Sequence, residues 1–142
     1  MHKKLTTWTL AFLFSVSLLG CATLKDYKPK SKEEAAIKNV LVTFMDSAKK
    51  GDVKGVSPFL HENFKAQVGK ERKIQVRKEY LERLPKRVAE GRIGGTYGEP
   101  QMTITGNKAD VKCPVTIRDW QGTFVFHLVR ENGRWLIMGW EY

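Results

Sequence analysis

The sequence predicts a single α+β domain in which helices pack on one face of a curved antiparallel sheet. Apolar residues recur at three- and four-residue spacing in the first part of the chain, and the period changes to two after the glycine-rich stretch 91–98. Asn-Gly at 132–133 is a strong hairpin signal. With 142 residues, 42% of them apolar, the chain can bury one core, which excludes a disordered tail and a large multidomain enzyme.

The first 20 residues are typical of a secretory signal. Two lysines precede a charge-free run over 5–19, which is shorter than the ~18 to 20 apolar residues that span a bilayer. The end of the run, Leu-Leu-Gly-Cys at 18–21, resembles the lipobox of bacterial lipoproteins. The resemblance implies a signal peptide over 1–20, cleavage after Gly20 and acylation of Cys21. The alternative is an ordinary secretory signal that happens to contain a cysteine.

The residues after Cys21 predict where the protein resides. In lipoproteins an aspartate at the next position tends to mark inner-membrane retention, and this position is Ala22. We therefore expect a lipoprotein that faces the periplasm, in the outer membrane rather than the inner, or on the extracellular face if there is no outer membrane. Residues 21–30 have no periodicity and include Pro29, so we interpret them as a lipidated tether for a domain over 31–142.

The domain is expected to begin with a helix. Ser31 and Glu34 form a capping-box pattern, and apolar residues follow at helical spacing as far as Ala48. Lys-Lys-Gly at 49–51 is a typical helix end. Asp52 is expected to cap a shorter second helix.

A brief alternating run over 64–68 precedes a third helical region, which we place over roughly 73–90 and expect Pro85 to interrupt. The period-two stretches then predict four strands, at 102–104, 109–117, 123–130 and 135–141. The turns between them fall at 106–107, 119–122 and 132–133.

Cys113 is the second of two cysteines and falls among the apolar positions of its strand. With Cys21 assigned to lipid, an intrachain disulfide is excluded. We interpret Cys113 as a small buried residue rather than a nucleophile.

The mature chain from about Glu34 to Tyr142 also contains the motifs of one superfamily. They are Phe44 and Ala48 before Gly51-Asp52, the stretch 60–64, the stretch 106–111 and the closing stretch 128–137. On these motifs the chain resembles the superfamily of nuclear transport factor 2, ketosteroid isomerase and the SnoaL-like polyketide cyclases, which share a cystatin-like α+β cone. The resemblance implies a sheet curled around a cavity. Because this fold hosts unrelated functions, the site has to be argued from its own residues.

Four residues are candidate ligand contacts in such a cavity: Arg77, Tyr80, His127 and Trp135. Tyr80 offers a phenol, and on an unbroken helical wheel Arg77 and Arg87 fall beside the apolar arc of the third helix. Arginine suits recognition of a carboxylate or a phosphate.

His127 is the candidate general base, because imidazole titrates nearest to neutrality. The alternative is a hydrogen-bonded histidine in the sheet wall. An isomerase-type site needs a carboxylate base and acidic donors in one apolar cavity. Asp119 falls in a predicted turn and Glu99 precedes Pro100, and the tyrosine and aspartate pair of the isomerase has no match here.

The sequence contains no motif for nucleotide-phosphate binding, for metal binding or for a catalytic nucleophile. The sequence has no glycine-rich phosphate loop, no Cys-x-x-Cys pair and no nucleophile elbow, and removal of the leader leaves only His61 and His127. We therefore expect neither a metal nor a cofactor. Trp140 and Tyr142 share the alternation of Leu136 and Met138, and this stripe is a candidate exposed dimer surface.

The formal charge of +10 is unevenly distributed, with +2 in the leader, +2 in residues 22–30 and +6 in residues 63–92. Residues 63–92 contain ten basic and four acidic residues, whereas the segments 31–62 and 93–142 are neutral. Three interpretations compete: a solvated helix face, contact with an anionic envelope component such as lipid headgroups, and an anionic ligand in the cone. Nucleic acid is disfavoured outside the cytoplasm.

These observations favour a membrane-anchored lipoprotein that acts as a non-catalytic ligand-binding or protein-interaction module of the cell envelope. One alternative is an isomerase- or cyclase-like enzyme that uses His127 or a carboxylate. Another is a structural homodimer without a ligand.

Overall fold

A strongly curved five-stranded antiparallel sheet and a separate two-stranded hairpin enclose the core together with three helices. The computed structural model describes residues 23–142, so the leader, Gly20 and Cys21 lie outside the described residues. The helices are α1 (Lys32–Lys49), α2 (Val53–Val56), which continues into a 3-10 turn (Ser57–Phe59), and α3 (Arg77–Ala89). The strands are β1 (Lys65–Val68), β2 (Lys73–Val76), β3 (Thr96–Tyr97), β4 (Gln101–Thr105), β5 (Lys108–Ile117), β6 (Trp120–Glu131) and β7 (Arg134–Glu141).

The α+β class predicted from the sequence is confirmed, with helices first and an antiparallel meander afterwards. Strands β5, β6 and β7 pair in order, and β3 and β4 pair with opposite halves of β5. Asn132 and Gly133 both have positive φ, as a two-residue hairpin of type I′ requires. Cys113 is fully buried between neighbouring core residues, as predicted. Within residues 23–142, none of the helices combines the length and apolar character needed to span a membrane.

The first helix begins where its cap predicts. The Ser31 hydroxyl accepts a hydrogen bond from the Glu34 amide at 3.1 Å. The Glu34 carboxylate does not return to Ser31. It accepts instead from the Lys30 amide at 3.2 Å and from the Tyr27 hydroxyl, so the helix start also fixes the chain that leads into it.

The chain before α1 differs from the free tether expected over 21–30. Leu24 is 2% exposed and belongs to the core, and its amide donates to the Tyr97 carbonyl at 2.9 Å. Lys38 of α1 donates to the carbonyls of Lys25 at 2.7 Å and Tyr27 at 2.6 Å. Burial of the Leu24 side chain stabilises an ordered conformation of this segment, although its sequence has no helix or strand period. The domain therefore begins by Thr23 rather than near Ser31.

The third helix is shorter than predicted at its start and continuous across its proline. Residues 73–76 form β2, because they pair with β1 along its whole length. The helix then runs through Pro85 without a break, since Leu84 before the proline is buried and Val88 after it packs against the core. The expected interruption at Pro85 is therefore wrong.

An extra residue in β7 decides which side chains face the core. His127 pairs with Gly139 and Leu128 with Ile137, so Met138 has no partner and forms a β-bulge. One added residue exchanges the two faces of a strand. Trp140 therefore points into the core, at 8% exposure, on the same side as Ile137.

The bulge overturns the expected dimer stripe of Leu136, Met138, Trp140 and Tyr142. Trp140 packs against Phe126 and Tyr142 stacks on Phe124, both on the inner face. Gly139 makes the arrangement possible, because a Cβ at this position would lie 1.7 Å from the Lys65 carbonyl oxygen. Strand β1 thus crosses directly over β7.

Candidate functional site

The curved sheet, α1, α3 and the β1–β2 hairpin surround an open cavity of about 1070 Å³. This is at the upper end of the range for small-molecule sites, about 300 to 1,000 Å³. Its lining includes one continuous aromatic surface, because the rings of Phe44 of α1, Tyr80 of α3, and Phe126 and Trp140 of the sheet pack against one another. The cavity therefore opens beside the contact between the helices and the sheet.

The interior of the cavity is aromatic. The Trp140 ring is central, with its centroid 5.3 Å from that of Tyr80, 5.7 Å from Phe44 and 5.8 Å from Phe126. The three contacts are tilted or edge-on, which are favoured aromatic geometries. An apolar or aromatic molecule could pack against this aromatic surface.

Two phenols and one amide supply polarity inside. Burial raises the pKa of Tyr80 and of Tyr97, so both keep their proton and remain hydrogen-bond donors at neutral pH. Neither hydroxyl has a hydrogen-bond partner in the described part of the chain. Gln75 of β2 also lines the cavity, is 7% exposed, and its Oε1 has no partner among residues 23–142. These groups could bind polar atoms of a ligand.

Charged residues surround the mouth. Seven basic residues line it against three acidic ones, an excess of four positive charges. The basic residues are Lys70, Lys73, Arg83, Lys86, Arg87, Arg92 and Arg118, and the acidic residues are Glu71, Glu90 and Asp119. We call this set the cationic mouth. Six of its seven cations come from the basic segment 63–92, so the local charge excess of the sequence gathers at the cavity.

Arg87 is the least exposed of these cations. It lies on α3, half-buried, and its electrostatic neighbours include the phenols of Tyr80 and Tyr142. Burial lowers the pKa of its guanidinium, although arginine still remains charged at neutral pH. No carboxylate in the described residues pairs with it. Arg87 is therefore placed to meet an anion at the boundary between the aromatic interior and solvent.

Two contacts shape the rim. The Arg118 guanidinium, in the β5–β6 turn, donates to the Glu90 carbonyl at the end of α3 at 3.0 Å. On the other side, the Tyr142 hydroxyl donates to the Gly69 carbonyl in the β1–β2 turn. The Tyr142 ring stacks on Phe124 at 4.9 Å, which connects the hairpin to the sheet.

Of the four ligand contacts expected from the sequence, the cavity contains Tyr80. Arg77, at the first position of α3, turns away and donates to the Ser57 hydroxyl at 2.6 Å, the Ser57 carbonyl at 2.9 Å and the Leu60 carbonyl at 3.3 Å. It connects α3 to the 3-10 turn. A helical wheel gives the angle of Arg77 around the helix but not its height along it, and Arg77 lies at the end of α3 next to the 3-10 turn.

His127 lies on the outer face of the sheet. Its Nδ1 is 2.7 Å from the Asp110 carboxylate and its Nε2 is 3.4 Å from that of Glu141. This placement corresponds to the alternative of a hydrogen-bonded wall histidine, and it puts the imidazole outside the cavity that a general base would have to reach.

Trp135 is also outside the cavity lining. Its indole Nε1 donates to the Glu33 carboxylate at 2.8 Å, and the Arg130 guanidinium lies 5.7 Å from its ring centroid. Arg130 donates to the same carboxylate at 2.7 Å. These contacts tie α1 to the sheet, so Trp135 stabilises the interface between the layers.

The carboxylates of the cavity lie at its rim. Asp119 is exposed in the turn before β6, Glu71 is 3.1 Å from Lys73, and Glu90 is 3.2 Å from Arg92. Glu99, the other candidate acid, is exposed and not part of the lining. Among residues 23–142 there is no cluster of three or more His, Cys, Asp or Glu side chains that could hold a metal ion.

Sequence reasoning missed Gln75, Tyr97 and the inward direction of Trp140. The apolar spacing predicts a helix at Gln75, which lies instead in β2, and Tyr97 lies in a glycine-rich stretch whose two-residue strand is too short to show a period. The usable signal was Gly139: a glycine inside a strand pattern often marks a bulge or a close approach of another backbone.

Solved structures similar to this chain share its architecture. A putative ketosteroid isomerase from Shewanella frigidimarina has a TM-score of 0.60 at 24% identity, over 75% of this chain and 94% of that chain. A nuclear transport factor 2-like protein from Cytophaga hutchinsonii has a TM-score of 0.64 at 9% identity, over 78% and 96%. This chain has the nuclear transport factor 2-like fold.

A putative dehydratase of the nuclear transport factor 2-like family from Streptomyces avermitilis is a further neighbour, with a TM-score of 0.61 at 13% identity, over 75% of this chain and 91% of that chain. No protein-family model and no curated protein matches the chain. The nuclear transport factor 2-like fold therefore accounts for the cavity, and its chemistry has to come from the residues that line it.

Proposed function

We infer that this protein is a membrane-anchored lipoprotein of the cell envelope whose domain binds a small ligand in its cavity without converting it. The observation that carries the proposal is the cavity itself, whose aromatic lining includes the phenols of Tyr80 and Tyr97 and the unpartnered amide oxygen of Gln75. Such a set can orient a ligand. The carboxylates of the cavity lie at the rim, away from the place where an isomerase base would act.

The sequence supports the location. The leader, the lipobox-like end and Cys21 favour acylation, and Ala22 favours the outer membrane over the inner. The membrane lipid attached through Cys21 is therefore one partner. An anionic envelope component at residues 63–92 is a second, because this segment supplies six cations of the cationic mouth. A protein facing the periplasm would have no access to cytoplasmic nucleic acid.

Two experiments test the proposal. Cells that express the wild-type chain or Cys21→Ser are labelled with a radioactive fatty acid, and label in the wild type alone is expected. Equal label in both would refute the anchor. Native mass spectrometry of the purified mature chain is expected to show an added mass that is lost on denaturation, and the same spectra distinguish a monomer from a homodimer.

A second candidate function, an isomerase- or dehydratase-like enzyme, is favoured by one observation. Tyr80 and Tyr97 are electrostatic neighbours with raised pKa, and two protonated phenols can polarise a carbonyl oxygen. Conversion of a β,γ-unsaturated ketosteroid to its conjugated isomer by the wild-type chain, with loss of turnover in Tyr80→Phe, would establish the enzyme. The binding module predicts no turnover in either protein.

A further inference from the structure

We propose that the cavity binds an amphipathic anion, with its apolar body against the aromatic surface of the lining and its carboxylate or phosphate on Arg87 at the mouth. This inference rests on the ligand-binding function proposed above and adds the chemical class of the ligand. Three independent features of the cavity support it.

The first feature is the match between an apolar interior and a charged opening. Phe44, Phe126 and Trp140 form part of the aromatic surface that lines the interior, whereas the cationic mouth has an excess of four positive charges. The five strands of the main sheet and α1 come from neutral segments of the chain, whereas the β1–β2 hairpin and α3 belong to the basic segment 63–92. A neutral apolar ligand would form no ion pair with the cationic mouth, and a small hydrated anion would make no apolar contact with the aromatic rings.

The second feature is the position of Arg87. Its guanidinium is half-buried and has no ion pair or hydrogen bond within residues 23–142, although burial of an unpaired charge is unfavourable. Arg83 lies one turn earlier on the same helix, and like charges at this spacing repel each other. An anion at this place would relieve both costs. A guanidinium also presents paired donors that match carboxylate and phosphate oxygens.

The third feature is the unpartnered amide of Gln75. Its Oε1 is buried without a donor in the described part of the chain, on a side chain that is 7% exposed and lines the cavity. Buried polar atoms of native proteins are nearly always paired. A bound molecule, or water held with it, would supply the missing donor, which is a sign of occupancy that is independent of charge.

The test uses three ten-carbon probes with the same apolar chain: decanoate, decyl phosphate and 1-decanol. Each is titrated into the mature chain from position 21 with Cys21→Ser, so that no attached acyl group competes for the cavity. Binding is followed by tryptophan fluorescence, because Trp120 and Trp140 line the cavity. The decanoate and decyl phosphate arms distinguish a carboxylate headgroup from a phosphate headgroup.

We expect the preferred anion to bind at least about tenfold more tightly than 1-decanol. Loss of a charge-assisted hydrogen bond should lower its affinity in Arg87→Gln by about 10- to 100-fold and leave 1-decanol unaffected. Lys78→Gln is the matched control, because Lys78 lies on the same helix but is exposed and outside the cavity lining. Its affinity for all three probes should equal that of the parent chain.

Each other result overturns part of the proposal. Equal binding of all three probes would exclude anion recognition and leave the ligand-binding function standing, whereas binding of none would count against that function as well. Unchanged affinity in Arg87→Gln would remove Arg87 as the anion contact. If Arg87→Gln does not fold, anion recognition is tested by titrating the parent chain at increasing salt concentration. Salt should weaken binding of decanoate and decyl phosphate and leave binding of 1-decanol unchanged.

Discussion

The indole Nε1 of Trp140 donates a hydrogen bond to the main-chain carbonyl of Gln67, 2.9 Å away. This bond connects the cavity wall in β7 to the β1–β2 hairpin, which does not pair with the main sheet. The same ring touches Tyr80 and Phe126. Trp140 therefore couples the shape of the cavity to the stability of the domain.

Trp140→Phe should lower the free energy of unfolding by about 1 to 3 kcal/mol, because the partly buried Gln67 carbonyl loses its donor. It should also weaken binding of the cavity ligand, since the β1–β2 hairpin loses its connection to the cavity wall. Urea unfolding and probe titration measure the two effects. Trp135→Phe is the control: it loses its bond to Glu33 outside the cavity, so stability should fall while affinity stays unchanged. Equal loss of affinity in both variants would contradict this account.

Gly139→Ala should destabilise the domain by about 4 kcal/mol or more, an effect at the upper end for one substitution. Its φ is +152°, and the added Cβ would lie 1.7 Å from the Lys65 carbonyl oxygen. Gly106→Ala is the comparison, at φ +59° with open space around it, and should cost only about 1 to 2 kcal/mol. Thermal unfolding distinguishes the two, and similar losses would mean that β1 does not cross β7 as described.

Cys113 should react very slowly with thiol reagents. Burial raises the pKa of its thiol from 9.0 to about 12, so the native chain holds almost no thiolate at pH 8. In the chain with Cys21→Ser, Cys113 is the sole thiol, and its rate of disulfide exchange with an aromatic disulfide should rise by about 100-fold or more on unfolding. A native rate equal to the unfolded rate would show that the thiol is accessible.

The same shift makes the domain less stable in alkali. Because the folded pKa of Cys113 is raised, its contribution to stability is complete below the unfolded value of 9.0 and is lost as pH rises toward about 12. The slope approaches about 1.4 kcal/mol per pH unit in this window. The raised pKa values of Tyr80 and Tyr97 act in the same direction. Cys113→Ala should unfold with a shallower dependence on pH above 9, and an unchanged dependence would refute the assignment.

Leu24→Ala should lower the free energy of unfolding by about 2 to 5 kcal/mol, as expected for a fully buried leucine. Lys28→Ala, four residues on and exposed, should change it by less than about 0.5 kcal/mol. A free tether would predict no effect of either change. Urea denaturation of the two variants therefore decides whether this segment is part of the domain.

The sequence predicted the elements whose signals are local. Ser31 caps α1 through its own neighbour Glu34, and Asn132-Gly133 forms its turn through the backbone freedom of two residues. These features depend on few distant contacts. The β2 strand and the bulge at Met138 depend on how β1 pairs with β2 and crosses β7, which no short window of sequence contains.

The candidate site was predicted in part for the same reason. Tyr80 was found because it lies on the apolar side of a periodic helix, and the basic segment was found by counting charge. Arg77 is outside the cavity because it lies at the end of α3 that contacts the 3-10 turn, and His127 is on the outer face of a strand that is apolar on both sides. Gln75 and Tyr97 lie in strands of four and two residues, where a period cannot be recognised.

The bond between Leu24 and Tyr97 has a consequence for how far the protein could act from a membrane. With a lipid on Cys21, as proposed, only Ala22 would separate the anchor from Thr23, which pairs with Gly98 in the domain. At about 3.3 to 3.6 Å per residue, the two residue steps from Cys21 to Thr23 would span at most roughly 7 Å. The domain would then remain close to the bilayer surface. A ligand released from its cavity would pass at that surface either into the lipid or to another protein.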